Sequence, residues 1–169
     1  MRGEAYLQQA FCLARLGREG VLPSLRRARI STPLRQINTM LEIKTLEARW
    51  GSANAKQARE RLAAVEFRLP QLKPGPRAMI RGMTRVAEAE LCRHEGNLER
   101  ALEVLDQAMR VERLPPGAVD ERLTCDEASG AKGRADLLGW GPVVLKNPSL
   151  LPYEAERVRA ALERAKAGD

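Results

Sequence analysis

Aromatic side chains are scarce in this chain, 4% of its 169 residues. A core must therefore be assembled from Leu, Ala, Val, Met and Ile. That set favours close-packed helices over sheets, which draw on β-branched and aromatic residues. Histidine occurs once and cysteine three times, at Cys12, Cys92 and Cys125, far apart and outside any Cys-x-x-Cys or Cys/His cluster. A structural zinc site needs about four ligands at short spacings, so no metal or other cofactor is expected and the thiols read as small buried hydrophobes. No apolar run approaches the roughly 20 residues that span a bilayer, and the N-terminus lacks the pattern of a secretory signal. A cytoplasmic protein without a membrane partner is the expectation.

Catalytic chemistry has equally little to work with. His94 stands at the end of a helical run, where a cation is favourable, with no Ser, Cys or carboxylate partner evident. "SGAKGR", residues 129–134, lacks the spacing of a phosphate loop and follows no strand. Asp126-Glu127 reads as an adjacent, solvated acidic pair. No set of nucleophile, base and oxyanion donors assembles, so the chain is expected not to be an enzyme.

Charge is plentiful and unevenly placed. Residues 1–72 hold 13 Lys/Arg against 6 Asp/Glu, a net of +7, whereas residues 73–169 hold 16 of each. Such asymmetry suits an acidic partner, nucleic acid or a membrane surface.

Helical periodicity runs along most of the chain. Leu7, Ala10, Phe11 and Ala14 form a stripe at i, i+3, i+4, i+7 in a helix over 3–16, ended by Gly17. A short second helix spans 22–30. Ser31 or Thr32 is expected to cap a third, with Pro33 at its first position, that runs to Gly51. Ser52 or Asn54 then opens a partner over 54–69. "LPQLKPGPR" reads as a loop. A third pair covers 78–94 and 97–111, joined at His94-Glu95-Gly96-Asn97. Residues 118–139 hold a helix blurred by Gly130 and Gly133, and "GWGPVVLKNPSLLP" reads as irregular or as one short turn. A final helix covers 153–167. Trp50 and Trp140 read as anchors between helices.

Gly17 and Gly51 lie 34 residues apart, and Ala14-Arg15-Leu16-Gly17 echoes Ala48-Arg49-Trp50-Gly51. Around Gly96 the echo is fuller: Ala89 precedes it by seven residues, and Ala101, Leu105 and Ala108 follow at five, nine and twelve. A 34-residue period of paired helices with small, large and small residues at those offsets resembles the tetratricopeptide repeat family. The resemblance covers residues 3–113. It departs from the family at the offsets after Gly17 and Gly51, in the 45-residue gap from Gly51 to Gly96, and in the missing aromatics.

The resemblance implies an all-α single domain over 1–169, a short right-handed α-solenoid of stacked antiparallel hairpins (3–30, 33–69, 77–111). An irregular fourth unit and a capping helix would fill 118–167. It also implies a concave groove lined by each first helix. That groove would take Leu7, Phe11 and Arg15 from the first pair, Asn38, Leu41, Thr45 and Arg49 from the second, and Val86, Glu90, Arg93 and His94 from the third. Arg15, Arg49 and Arg93 would form a cationic row suited to carboxylates. The expected function is a non-catalytic protein-interaction or scaffold module, of the kind found in bacterial regulatory and signalling proteins. Its partner would be a protein or peptide of acidic character, with terminal repeats open to oligomerisation. The first helix begins almost at Met1 without an evident capping repeat, as expected of a segment of a larger protein or of a chain that ends at an interface. The alternative is a nucleic-acid-binding array in which Arg15, Arg18, Arg26, Arg27, Arg29 and Arg35 contact phosphates. Against it stand the lack of a recognition-helix motif and the few aromatics available to stack on bases.

Overall fold

A computed structural model describes residues 2–15, 19–33, 36–110 and 113–168, with the Arg15 side chain and the expected stop at Gly17 outside the described part. Every regular element among the described residues is helical, so the chain is all-α. It divides into two compact units, Met1–Ala87 and Glu88–Asp169.

The first unit holds α1 (Arg2–Arg15), α2 (Val21–Ser31), α3 (Ile37–Gly51) and α4 (Ala55–Glu66), then a single 3-10 turn (Leu69–Gln71) and the start of α5 (Pro74–His94). Successive helices pack on one another, α1 on α2, α2 on α3 and α3 on α4. Helix α3 is the shared element. Ile43 and Leu46 join Leu7, Ala10, Leu25, Ala28 and Met83 in one apolar cluster, while Leu41 joins Val65, Leu69, Leu72 and Ile80 in another.

Several boundaries differ from expectation for local reasons. Thr32 closes α2 instead of capping α3: its Oγ1 donates to the Ala28 carbonyl at 2.7 Å. Helix α3 begins only at Ile37, so Pro33 is not its first residue. Asn54 caps α4 as expected, its side chain accepting from Gln57 N–H at 2.9 Å. The last four residues of "LPQLKPGPR" belong to α5, because Pro74 and Pro76 fall in its first turn, where a missing N–H costs nothing. Arg77 then pins the preceding turn, donating to the carbonyls of Leu72 (2.7 Å) and Pro70 (3.1 Å).

The second unit continues α5 and adds α6 (Leu98–Met109), α7 (Ala118–Ala128), α8 (Ala131–Val144) and α9 (Pro152–Ala167). The α5–α6 junction was legible in full. Gly96 sits at φ +79°, a backbone region that costs glycine nothing. Asn97 N–H reaches the Cys92 carbonyl (2.8 Å) and Gly96 N–H the Arg93 carbonyl (2.9 Å), the paired bonds of a Schellman ending. Asn97 then caps α6, accepting from Arg100 N–H at 3.1 Å. Ala89, Ala101, Leu105 and Ala108 are all buried.

Beyond α6 the chain is more regular than its local composition predicts. Residues 118–139 form not one helix but parts of two, and "GWGPVV" is helical, with Pro142 inside α8. Helix α7 is the centre of this unit, packed against α6, α8 and α9. Leu123 and Val119 meet Leu137 and Val144 of α8 and Val158, Ala161 and Leu162 of α9. The α7–α8 approach is close enough that a Cβ on Gly133 would overlap the backbone carbonyl of Asp126. Gly133→Ala should therefore lower stability in urea melts by roughly 2 kcal/mol, although helix propensity alone would raise it. An unchanged or higher midpoint would mean that the two helices are not held at this distance.

Candidate functional site

Helix α7 buries three charged side chains among its apolar ones: Glu121, Arg122 and Asp126. Ions leave water only at large cost unless their partners are well placed. Here each has them. Arg93 Nε donates to Glu121 at 2.6 Å. Arg122 Nε donates to Asp126 at 3.2 Å, one turn along the same helix, and its Nη1 pairs with Asp106 of α6. The Trp140 indole N–H of α8 donates to the other Asp126 oxygen at 2.7 Å, and the Arg122 guanidinium lies 5.6 Å from the Trp140 ring centroid. Burial pushes the Asp126 carboxyl above its ordinary range, opposed by Arg122 and Trp140.

An open cavity of about 380 Å³ lies where α6, α7 and α8 meet. Glu99, Glu103, Asp106 and Asp136 line it against two cations, Arg122 and Lys132, with Trp140 as one wall. Ser, Thr, Cys and His are not among the residues that line it. The Arg122–Asp126–Trp140 set was not recognised in the sequence, although Arg122 and Asp126 at i, i+4 were a visible signal of an ion pair.

The expected groove residues meet different fates. Leu7, Leu41, Thr45 and Val86 are buried, their side chains committed to core packing, and Thr45 Oγ1 donates back to the Leu41 carbonyl at 2.9 Å. Phe11 packs edge-on against Trp50 (centroids 6.2 Å apart), with the Arg49 guanidinium 5.4 Å from the Trp50 ring. Asn38 and His94 are exposed and Glu90 is half-buried. Arg93 is engaged by Glu121, whose hydrogen bond raises its already high pKa. Arg15 lies outside the described side chains. Arg49 and Arg93 belong to different units, and each is tied to its own neighbours. In the alternative set, Arg26, Arg27 and Arg29 are exposed on α2, Arg29 pairing with Glu47 of α3 at 3.2 Å. Arg18 and Arg35 lie outside the described residues.

The unit boundary sharpens the charge division. Residues 1–87 carry 17 Lys/Arg against 6 Asp/Glu, a net of +11, and residues 88–169 carry 12 against 16, a net of −4. Comparison with protein-family models, curated proteins and solved structures returned no match. No helix among the described residues is long and apolar enough to cross a membrane.

The thiols provide a check. Cys125 is buried 3.8 Å from Glu121, and desolvation with the nearby carboxylate pushes its pKa up to about 12. Cys92 is buried and Cys12 exposed. At pH 8, iodoacetamide should alkylate Cys12 in the native chain and reach Cys92 and Cys125 only on unfolding. A raised folded value favours the thiol form. Its contribution to stability is thus intact below the ordinary value of 9 and is lost as pH climbs toward 12. Mass spectrometry showing native labelling of Cys125 would contradict this environment.

Proposed function

We propose that this chain is a non-catalytic interaction module, a worn array of helical pairs in the manner of tetratricopeptide repeats, that docks an acidic, partly apolar peptide or helix. The paired packing of α1 with α2 and α3 with α4 supports an array. So does the small, large and small core pattern after Gly96.

One observation carries the docking part, the outer face of α2. Leu22, Arg26 and Ile30 run along it at i, i+4, i+8, with Leu22 45% and Ile30 76% exposed and Arg27 and Arg29 beside them. Apolar and cationic groups interleaved on one helix suit a partner that offers both carboxylates and apolar side chains. A phosphate backbone needs only the cations. The expected groove gives way to this surface as the preferred contact, since four of the groove's side chains are buried.

The net charge of +7 on residues 1–72, within the +11 of the first unit, favours a second reading, nucleic-acid binding by residues 1–72. The two separate cleanly in titrations of the full chain with a Glu/Leu-containing peptide and with duplex DNA at two salt concentrations. Under the leading reading, Leu22→Ser/Ile30→Ser and Arg26→Gln/Arg27→Gln each weaken peptide binding by roughly tenfold or more, about 1.4 kcal/mol. DNA that binds while the peptide does not, with affinity falling by about 0.9 log units per log unit of salt for each phosphate contact, would hand the function to the second reading.

A further inference from the structure

Helix α8 is composed like a buried helix but is not buried all round. An apolar helix without a polar face belongs inside a structure. One face of α8 is covered: Gly133 lies against α7 and Gly141 against Leu162 of α9, with Leu137 and Val144 in the apolar cluster shared with both helices. On the remaining face Ala131, Ala135, Leu138, Gly139, Pro142 and Val143 are exposed, Leu138 at 41% and Val143 at 69%. Helical spacing puts the first five in one stripe, with Val143 at its edge.

The glycines separate the internal causes from the external one. Glycine inside a helix costs roughly 1 kcal/mol against alanine. At Gly133 a Cβ would strike α7, and at Gly141 it would press on Leu162 at 3.0 Å, so packing within the chain accounts for both. Gly141 also precedes Pro142, where other residues resist helical backbone. Gly139 has no such reason: a Cβ there meets nothing within 4 Å, and its φ is not positive. A bare backbone in the middle of an exposed apolar stripe is what the close approach of a second helix requires.

Charge selects among the helices that could lie there. Arg134 borders one edge of the stripe, Lys132, which also lines the cavity shared with α6, borders the other, and Lys146 stands beyond its C-terminal end, all three exposed. The acid of this helix, Asp136, faces the cavity shared with α6. A second α8 laid antiparallel on the first would bring like charges together at both ends. We infer that the exposed face of α8 is the docking surface for a helix of another protein, with small and apolar residues along its contact stripe and carboxylates at its edges. This surface lies in the second unit and is independent of the reading of α2.

The test uses the full chain and three synthetic peptides of roughly 20 residues, long enough to be helical once docked. One has an Ala/Leu stripe flanked by Glu, the second the same stripe flanked by Lys, and the third is a scramble of the first. Fluorescence anisotropy should show binding of the Glu-flanked peptide alone, weakened at least tenfold by Leu138→Glu and by Gly139→Leu. Gly139→Ala separates packing from contact: it should raise the thermal midpoint of the free chain while weakening the peptide. Equal binding of the Lys-flanked peptide, no binding at all, or binding indifferent to Leu138→Glu and Gly139→Leu would overturn the assignment. A concentration-dependent dimer in sedimentation that Leu138→Glu abolishes would give the face to a second copy, and overturn it too. Peptide binding that responds only to the α2 substitutions would reject the α8 surface and leave the proposed function standing.

Discussion

The second unit depends on how it buries a charge. Arg122 and Asp126, one turn apart on α7, are both withdrawn from water. Removing one partner from such a pair typically costs 3–5 kcal/mol, because the other is left uncompensated. The neighbours are arranged around that constraint. Asp106 of α6 accepts from a second guanidinium nitrogen, and the Trp140 indole N–H donates to the second Asp126 carboxylate oxygen from the side of α8. Trp140 reaches only because Gly133 lets α8 lie against the Asp126 backbone. A pair that would be a minor ornament on a surface thus fixes the spacing of three helices. Among the described residues no buried side-chain nitrogen or oxygen is left without a partner.

What could be read from the sequence was local. The ending of α5 and the start of α6 were legible because Gly96 and Asn97 specify both by their own conformations and side chains. The start of α5 was not, since Pro74 and Pro76 mark a break in most settings and a first turn in this one. Helix α8 carries Gly133, Gly139, Gly141 and Pro142, a poor helix by propensity. Contacts with α7 and α9 hold it nonetheless, and tertiary packing of that kind overrides local preference. Helix α7 gave little apolar periodicity because its buried face includes Glu121, Arg122 and Asp126.

The groove residues show a related limit. Periodicity identified the stripes of α1, α3 and α5 but not which neighbour would cover them. Leu7, Leu41 and Val86 therefore lie in the interior, and the exposed apolar side chains belong to helices the sequence had cast as second or irregular elements. In α2 and α8 alike, surface hydrophobes sit beside cations. Both would receive the same class of partner, one that combines carboxylates with an apolar stripe.

The central claim is that α7 organises the second unit through its satisfied buried charges, and native-state hydrogen exchange tests it most directly. Amides of α7 should exchange only through opening of the whole unit, with free energies at the top of its range. The outer turns of α6 and α9 should open at lower cost. Exchange of α7 amides as fast as those of the helix ends would show that Arg122 and Asp126 hold nothing in place, and would contradict the account.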